Sequence, residues 1–111
     1  MKASELTGDA LDWAVDKALN LNTPYNSWGQ VGKVPAYSTD WALGGPIIER
    51  MGINIIENGS WMAEMDDAHH GGGVISTEGD TPLIAAMRCY VTSRLGDEIN
   101  LPQHLLRGEL I

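Results

Sequence analysis

Tyr37-Ser38-Thr39-Asp40-Trp41, followed by Gly44-Gly45, is the stretch of this 111-residue chain best equipped for chemistry. The hydroxyls of Ser38 and Thr39 stand at what reads as a helix start, where free backbone amides can hold a small anion or a nucleotide. The indole of Trp41 adds an apolar wall, and two glycines let a ligand or another backbone come close. Thr81 and Arg88 join this corner if the last helix packs beside it. The same residues also read as an ordinary helix cap with glycines that let two helices touch. Residue types and spacing allow both readings.

Other chemically capable residues form no set. Asp66, Asp67, His69 and His70 are metal-binding types, but their spacing matches no fixed ligand pattern and the glycines that follow give no rigid frame. A solvated loop is the expectation there, and no metal or cofactor is assigned. Gly71-Gly72-Gly73 is not followed by Lys-Ser/Thr, so it is not a phosphate loop. Glu49, Glu57 and Glu64 are separated carboxylates without an acid–base partner, so hydrolase chemistry has no support. His104 stands alone. Cys89 is the single cysteine; it excludes an intramolecular disulfide, fits a reducing compartment and reads as a small packing residue.

The elements that must position these residues follow from caps and periodicity. A first helix is expected from Gly8 to about Leu21, with Thr7 as cap and Leu6 and Leu11 as a hydrophobic staple. Asp9 and Asp12 suit its positive end, and Leu11, Val15, Ala18 and Leu19 form its inward stripe, with Trp13 and Asp16 pointing elsewhere. Residues 22–37 read as a long ordered loop. Ser38 or Thr39 caps a second helix through Trp41 to Met51, which Gly44-Gly45-Pro46 should kink or restart and Gly52 should end.

Two strands, Ile53 to Glu57 and Ser60 to Met65, flank the turn dipeptide Asn58-Gly59. A two-residue turn would set Ile56 opposite Trp61 and Ile55 opposite Met62. Val74 to Thr77 reads as a third strand and Glu98 to Leu101 as a short edge strand. The strongest signal is the last helix. Thr81 caps it, Pro82 sits where a missing N–H costs nothing, Leu83, Met87, Tyr90 and Val91 form a buried stripe, and Gly96 ends it. Ile84 and Leu95 are placed at the edges of that stripe.

The expectation is an α+β domain over residues 1–102, with three or four antiparallel strands packed with three helices and a tail from residue 103. A chain of this size buries roughly two thirds of its unfolded surface, enough for one core. Four Trp, three Tyr and no Phe suggest rings at the core edge or in a pocket. Seven basic against fifteen acidic residues give a net charge of −8, which argues against nucleic acid and anionic membranes as partners. Met1-Lys2-Ala3-Ser4-Glu5 leads into an acidic amphipathic segment with no long apolar run, so neither a signal peptide nor a membrane span is expected.

Several stretches together resemble the NinX-like family of tailed-phage and prophage proteins. They are Leu6-Thr7-Gly8-Asp9-Ala10-Leu11-Asp12-Trp13-Ala14-Val15, Tyr37-Ser38-Thr39-Asp40-Trp41 with Gly44-Gly45-Pro46-Ile47-Ile48-Glu49, Trp61, and Thr81-Pro82-Leu83-Ile84-Ala85-Ala86-Met87-Arg88-Cys89-Tyr90-Val91. They span nearly the whole chain in the family's order. The capped helices also resemble a broader group of phage domains built as an α-β-α sandwich. The resemblance implies a phage accessory product acting in the bacterial host cytoplasm, and it implies no catalytic residues.

Two functional expectations follow. One is a non-enzymatic accessory protein that binds a host protein and blunts a bacterial defence pathway. The other is a small-ligand binder that sequesters a nucleotide-like signal at Tyr37, Ser38, Thr39, Asp40, Trp41, Gly44 and Gly45, with Thr81 and Arg88. An exposed indole-rich loop makes a homodimer plausible in either case.

Overall fold

The computed structural model describes residues 1–19, 34–66 and 72–101. The expectations for residues 22–33, for His69 and His70, and for the tail from residue 103 lie outside them. The elements run in the order 3-10 turn Ala3–Glu5, α1 Gly8–Ala18, α2 Trp41–Met51, β1 Asn54–Glu57, β2 Trp61–Asp66, β3 Val74–Gly79 and α3 Pro82–Leu95. The strands form one antiparallel sheet in the order β1-β2-β3. The α+β class is as expected.

α3 starts and stops where its sequence says. The Ile84 N–H donates to Thr81 Oγ1 at 3.1 Å, Pro82 lies in the first turn, and Gly96 follows the last. Leu83, Met87, Tyr90 and Val91 are buried, and so are Ala85, Ala86 and Cys89 on another side of the helix. Those small side chains let α3 lie close on the sheet. Thr77 Oγ1 donates to Ala85 O at 2.8 Å and the Cys89 thiol to Ile75 O at 3.6 Å. α3 also packs against α1, α2 and the 3-10 turn. The layering is therefore sandwich-like with α3, rather than the sheet, between the other elements.

The hairpin register differs from the expected one. β1 pairs Glu57 with Trp61, Ile56 with Met62 and Ile55 with Ala63, so the loop has three residues, Asn58-Gly59-Ser60, with Gly59 in the left-handed region at φ 82. A three-residue loop moves every partner on β2 one residue further along than a two-residue turn. Because opposite residues share a face, Ile55, Ala63 and Thr77 point the same way, and the buried pair Met65–Ile75 joins them. This face meets α3. Ile56, Met62 and Glu78 share the other face. β3 runs two residues past the expected Thr77. Glu98 does not add a fourth strand to the sheet. It bridges Lys2, with Ala3 N–H donating to Asp97 O and Ile99 N–H to Met1 O, both at 2.8 Å.

Five local expectations need correction. Thr7 takes the cap position of α1 but its side chain makes no cap bond, so the helix start rests on Leu6 and Leu11, both fully buried. α1 ends at Ala18, short of Leu21, and Asp16 points into the protein, 2% exposed. At α2 the cap is Asp40, which accepts from Ala42 N–H at 2.9 Å, while Ser38 and Thr39 lie in the turn before it. α2 does not restart at Pro46 and is one helix from Trp41 to Met51. Ala42, whose carbonyl loses its helical donor to that proline, is exposed, so water can take the bond.

Gly44 fixes how α2 sits. A Cβ there would come within 2.5 Å of Tyr37 O and 2.6 Å of Leu83 Cδ1, whereas one at Gly45 would meet only the Trp41 ring, at 3.7 Å. Gly44→Ala should therefore destabilise the fold by about 1–3 kcal/mol through overpacking. Gly45→Ala should be neutral or stabilise by up to about 1 kcal/mol through helix propensity. Urea unfolding of both variants checks the pair.

Candidate functional site

The turn before α2 is built from its own backbone. Asp40 N–H donates to Ala36 O at 2.9 Å, Thr39 N–H to the same oxygen at 3.2 Å, and Tyr37 N–H to Pro35 O at 2.9 Å. This turn lies over α1, where Asp12 and Asp16 stand one helical turn apart on one face. Asp12 Oδ1 accepts from Ser38 N–H at 2.8 Å and Asp16 Oδ1 from Tyr37 OH at 3.1 Å. All four residues are buried. Neither aspartate stood out as a site residue in the sequence. Their i, i+4 spacing was the available signal, but the inward stripe of α1 runs one residue before each.

The structure thus brings Tyr37, Ser38 and Gly44 together with Asp12, Asp16 and Leu83. Ser38 Oγ is buried and has no hydrogen-bond partner. Thr39, Asp40 and Trp41 stand at the outer end of the corner, Trp41 54% exposed. Gly45 is half-buried beside the Trp41 ring. Thr81 is exposed and its hydroxyl is used at the start of α3.

Arg88 is directed elsewhere. Its Nε donates to Leu6 O at 2.8 Å and its Nη1 to Glu78 O at 2.7 Å. Arg88 lies five residues after Leu83, a rotation of about 140° around α3, so the helix turns it away from the Gly44 contact. Its guanidinium ties the N-terminal segment to β3 across α3. Trp13, half-buried, carries Lys17 Nζ 5.6 Å from its ring centre, and the Arg94 guanidinium lies 5.9 Å from the Tyr90 ring.

Burial sets the electrostatics of the corner. It pushes the Tyr37 phenol up to about 12, with the neighbouring Asp16 carboxylate and its hydrogen bond adding to the shift. Burial likewise pushes the Cys89 thiol up to about 11, which leaves it un-ionised and unreactive near neutral pH. Tyr37 keeps its proton in the folded state above pH 10, where an unfolded tyrosine loses it. The contribution is therefore complete below pH 10 and is lost as pH rises towards 12. Folding stability should fall by on the order of 2 kcal/mol over that interval on account of this phenol. Tyr37→Phe should remove that share of the decline. Denaturant unfolding at pH 9, 10 and 11, with phenolate absorbance followed in parallel, checks it.

Among the described residues no group of three or more His, Cys, Asp and Glu is placed to hold a metal ion, and no helix is long and apolar enough to cross a membrane. No curated protein matches the chain. A family model does, that of Bacteriophage P22, NinX, over residues 2–94. That span takes in the 3-10 turn, α1, the polar corner, α2, the sheet and α3 as far as Arg94, and the chain belongs to the phage P22 NinX family.

Proposed function

We propose that this phage protein is a non-enzymatic accessory factor that acts in the host cytoplasm by docking onto a bacterial host protein through Trp41 at the exposed start of α2. The observation that carries this reading is Trp41, 54% exposed in the first turn of α2. Leu43, 36% exposed, lies about 200° around the helix and belongs to another side. A large rigid ring left in water at the start of a helix is the residue type that most often anchors a protein interface. Thr39 and Asp40 beside it supply the polar rim such anchors have. Membership of a phage family supports a partner in the host, where interference with a defence pathway would serve the phage.

Internal use of the corner's polar groups further supports a surface over a pocket. Ser38 N–H and Tyr37 OH are spent on Asp12 and Asp16, and Arg88 on two carbonyls. One observation favours the second reading, a small nucleotide-like ligand. The Ser38 hydroxyl is buried without a partner, and such groups call for a ligand or an ordered water.

Affinity capture from host lysate with the wild-type chain and with Trp41→Ala separates these readings. Loss of a tryptophan anchor should weaken capture by about 2 kcal/mol or more, roughly thirty-fold in Kd, with the unfolding midpoint unchanged. A partner retained equally by both proteins removes Trp41 from the interface. Size-exclusion chromatography at several concentrations distinguishes a second copy of the chain on the same face. Thermal stabilisation by a nucleotide, abolished in Ser38→Ala, would favour the pocket.

A further inference from the structure

The sheet face turned away from α3 is a second surface, separate from the exposed end of α2. Its register sets Ile56, Met62 and Glu78 in one row across the strands, Asn54, Glu64 and Ser76 in the next, and Asp66 with Val74 in the last. Val74 is 64% exposed, and Ile56, Met62 and Glu64 are half-buried. The face thus mixes three apolar side chains with three carboxylates. Among the described residues none of those carboxylates has an ion-pair partner.

None of the described cations forms an ion pair with these carboxylates. Lys2 pairs with Asp97, Lys17 lies over Trp13, Arg88 holds Leu6 O and Glu78 O, and Arg94 lies over Tyr90. Arg50, exposed at the end of α2, makes no ion pair among the described residues. Glu64 on the central strand is therefore a partly desolvated charge without a counter-charge, an arrangement that becomes favourable when a cation arrives.

At the end of this face, where the pairing of β1 stops at Asn54 and β2 runs on to Asp66, opens a groove of about 360 Å³ that reaches around β2 to Met65 on the α3 side. Met51, Met65 and Val74 give it apolar walls, and Glu64, Asp66 and Asn54 give it acceptors. A long cationic side chain suits such a lining, with methylenes along the walls and its head between the two carboxylates. Three strands about 4.8 Å apart span about 10 Å, the diameter of one helix. The six residues of β2 extend about 20 Å, the length of about 13 helical residues.

We infer that this face receives one amphipathic helix of a partner protein, with an apolar stripe over Ile56, Met62 and Val74 and an Arg or Lys set into the groove at Glu64 and Asp66. The partner is basic along that helix, complementary to the acidic face. This surface is independent of the α2 reading, and neither stands or falls with the other.

The test uses the full chain and a synthetic helical peptide of about 14 residues, with a leucine stripe flanked by arginines. A peptide of identical composition with the stripe scrambled controls for general attraction to an acidic protein. Calorimetry at physiological salt should find the striped peptide binding at least about ten-fold more tightly than the scrambled one. Glu64→Gln/Asp66→Asn should lose about ten-fold, and the charge-matched Glu5→Gln/Glu49→Gln, exposed sites elsewhere, should lose less than about two-fold. Amide shifts in the wild-type chain should concentrate at residues 62–66 and 74–78, a readout that needs no variant. Equal affinity for both peptides, equal loss in both variants, or shifts centred elsewhere overturns the inference.

Discussion

Burial of α3 on several sides is the constraint on which the rest of this small protein depends. A chain of this size has area for one core, and here that core is organised around a single helix. One side of α3 carries Ala85 and Cys89 against the sheet, while Leu83 meets α2 and Tyr90 OH reaches Ala18 O at 3.5 Å. The sheet, α1 and α2 therefore hold together mainly through their shared contact with α3. The same geometry explains Gly79, where a Cβ would fall 2.5 Å from the Ala85 backbone nitrogen. The strand end approaches the first turn of α3 so closely that no side chain fits between them.

Arg88 extends the same logic to polar groups. Leu6 O lies where the 3-10 turn gives way to α1, and Glu78 O lies near the end of β3. A bare carbonyl in either place needs a donor. A guanidinium reaches both at once because its donors fan out in a fixed plane, which a lysine cannot imitate. The aspartates of α1 serve the turn before α2 in the same way. Asp12 satisfies a backbone amide that no helix or strand takes, and Asp16 satisfies a buried phenol. Polar side chains with the look of binding residues in the sequence are here largely structural fasteners.

What the sequence conveyed divides along that line. Features set by neighbours in the chain were legible, among them the Thr81 cap, Pro82, the stripe from Leu83 to Val91 and the stop at Gly52. The strands were legible as strands, but their register was off by one, because Asn58-Gly59 fits both a two-residue turn and the start of a three-residue loop. Features set by distant packing were not legible. Asp16 looked outward because α1 alone gives no sign that residues 36–39 lie over it. Cys89 was legible as a small packing residue, but the burial of Ala85 and Ala86 beside it was not, because small residues signal close approach only once the sheet is in place. Of the candidate site, Tyr37, Ser38 and Gly44 do come together. Arg88 does not join them, since its position around α3 aims it at carbonyls on another side.

This distribution bears directly on function. A ligand pocket needs convergent polar groups that the fold leaves unspent, and in the corner before α2 the Ser38 hydroxyl is the buried one without a partner among the described residues. Unspent groups lie on surfaces instead. Trp41 and Leu43 remain in water on α2, and Glu64, Asp66 and Glu78 remain without cations on the outer sheet face. An aromatic anchor and an acidic-apolar face are devices for recognising macromolecules, whose own side chains supply the missing counterparts. They also differ in what they would select. The start of α2 offers the Trp41 ring with charge only at its rim, so its affinity should depend weakly on salt. The sheet face offers charge, so its association should be fast and should weaken as salt screens it. The salt dependence of binding is therefore the property that tells contacts at the two proposed surfaces apart.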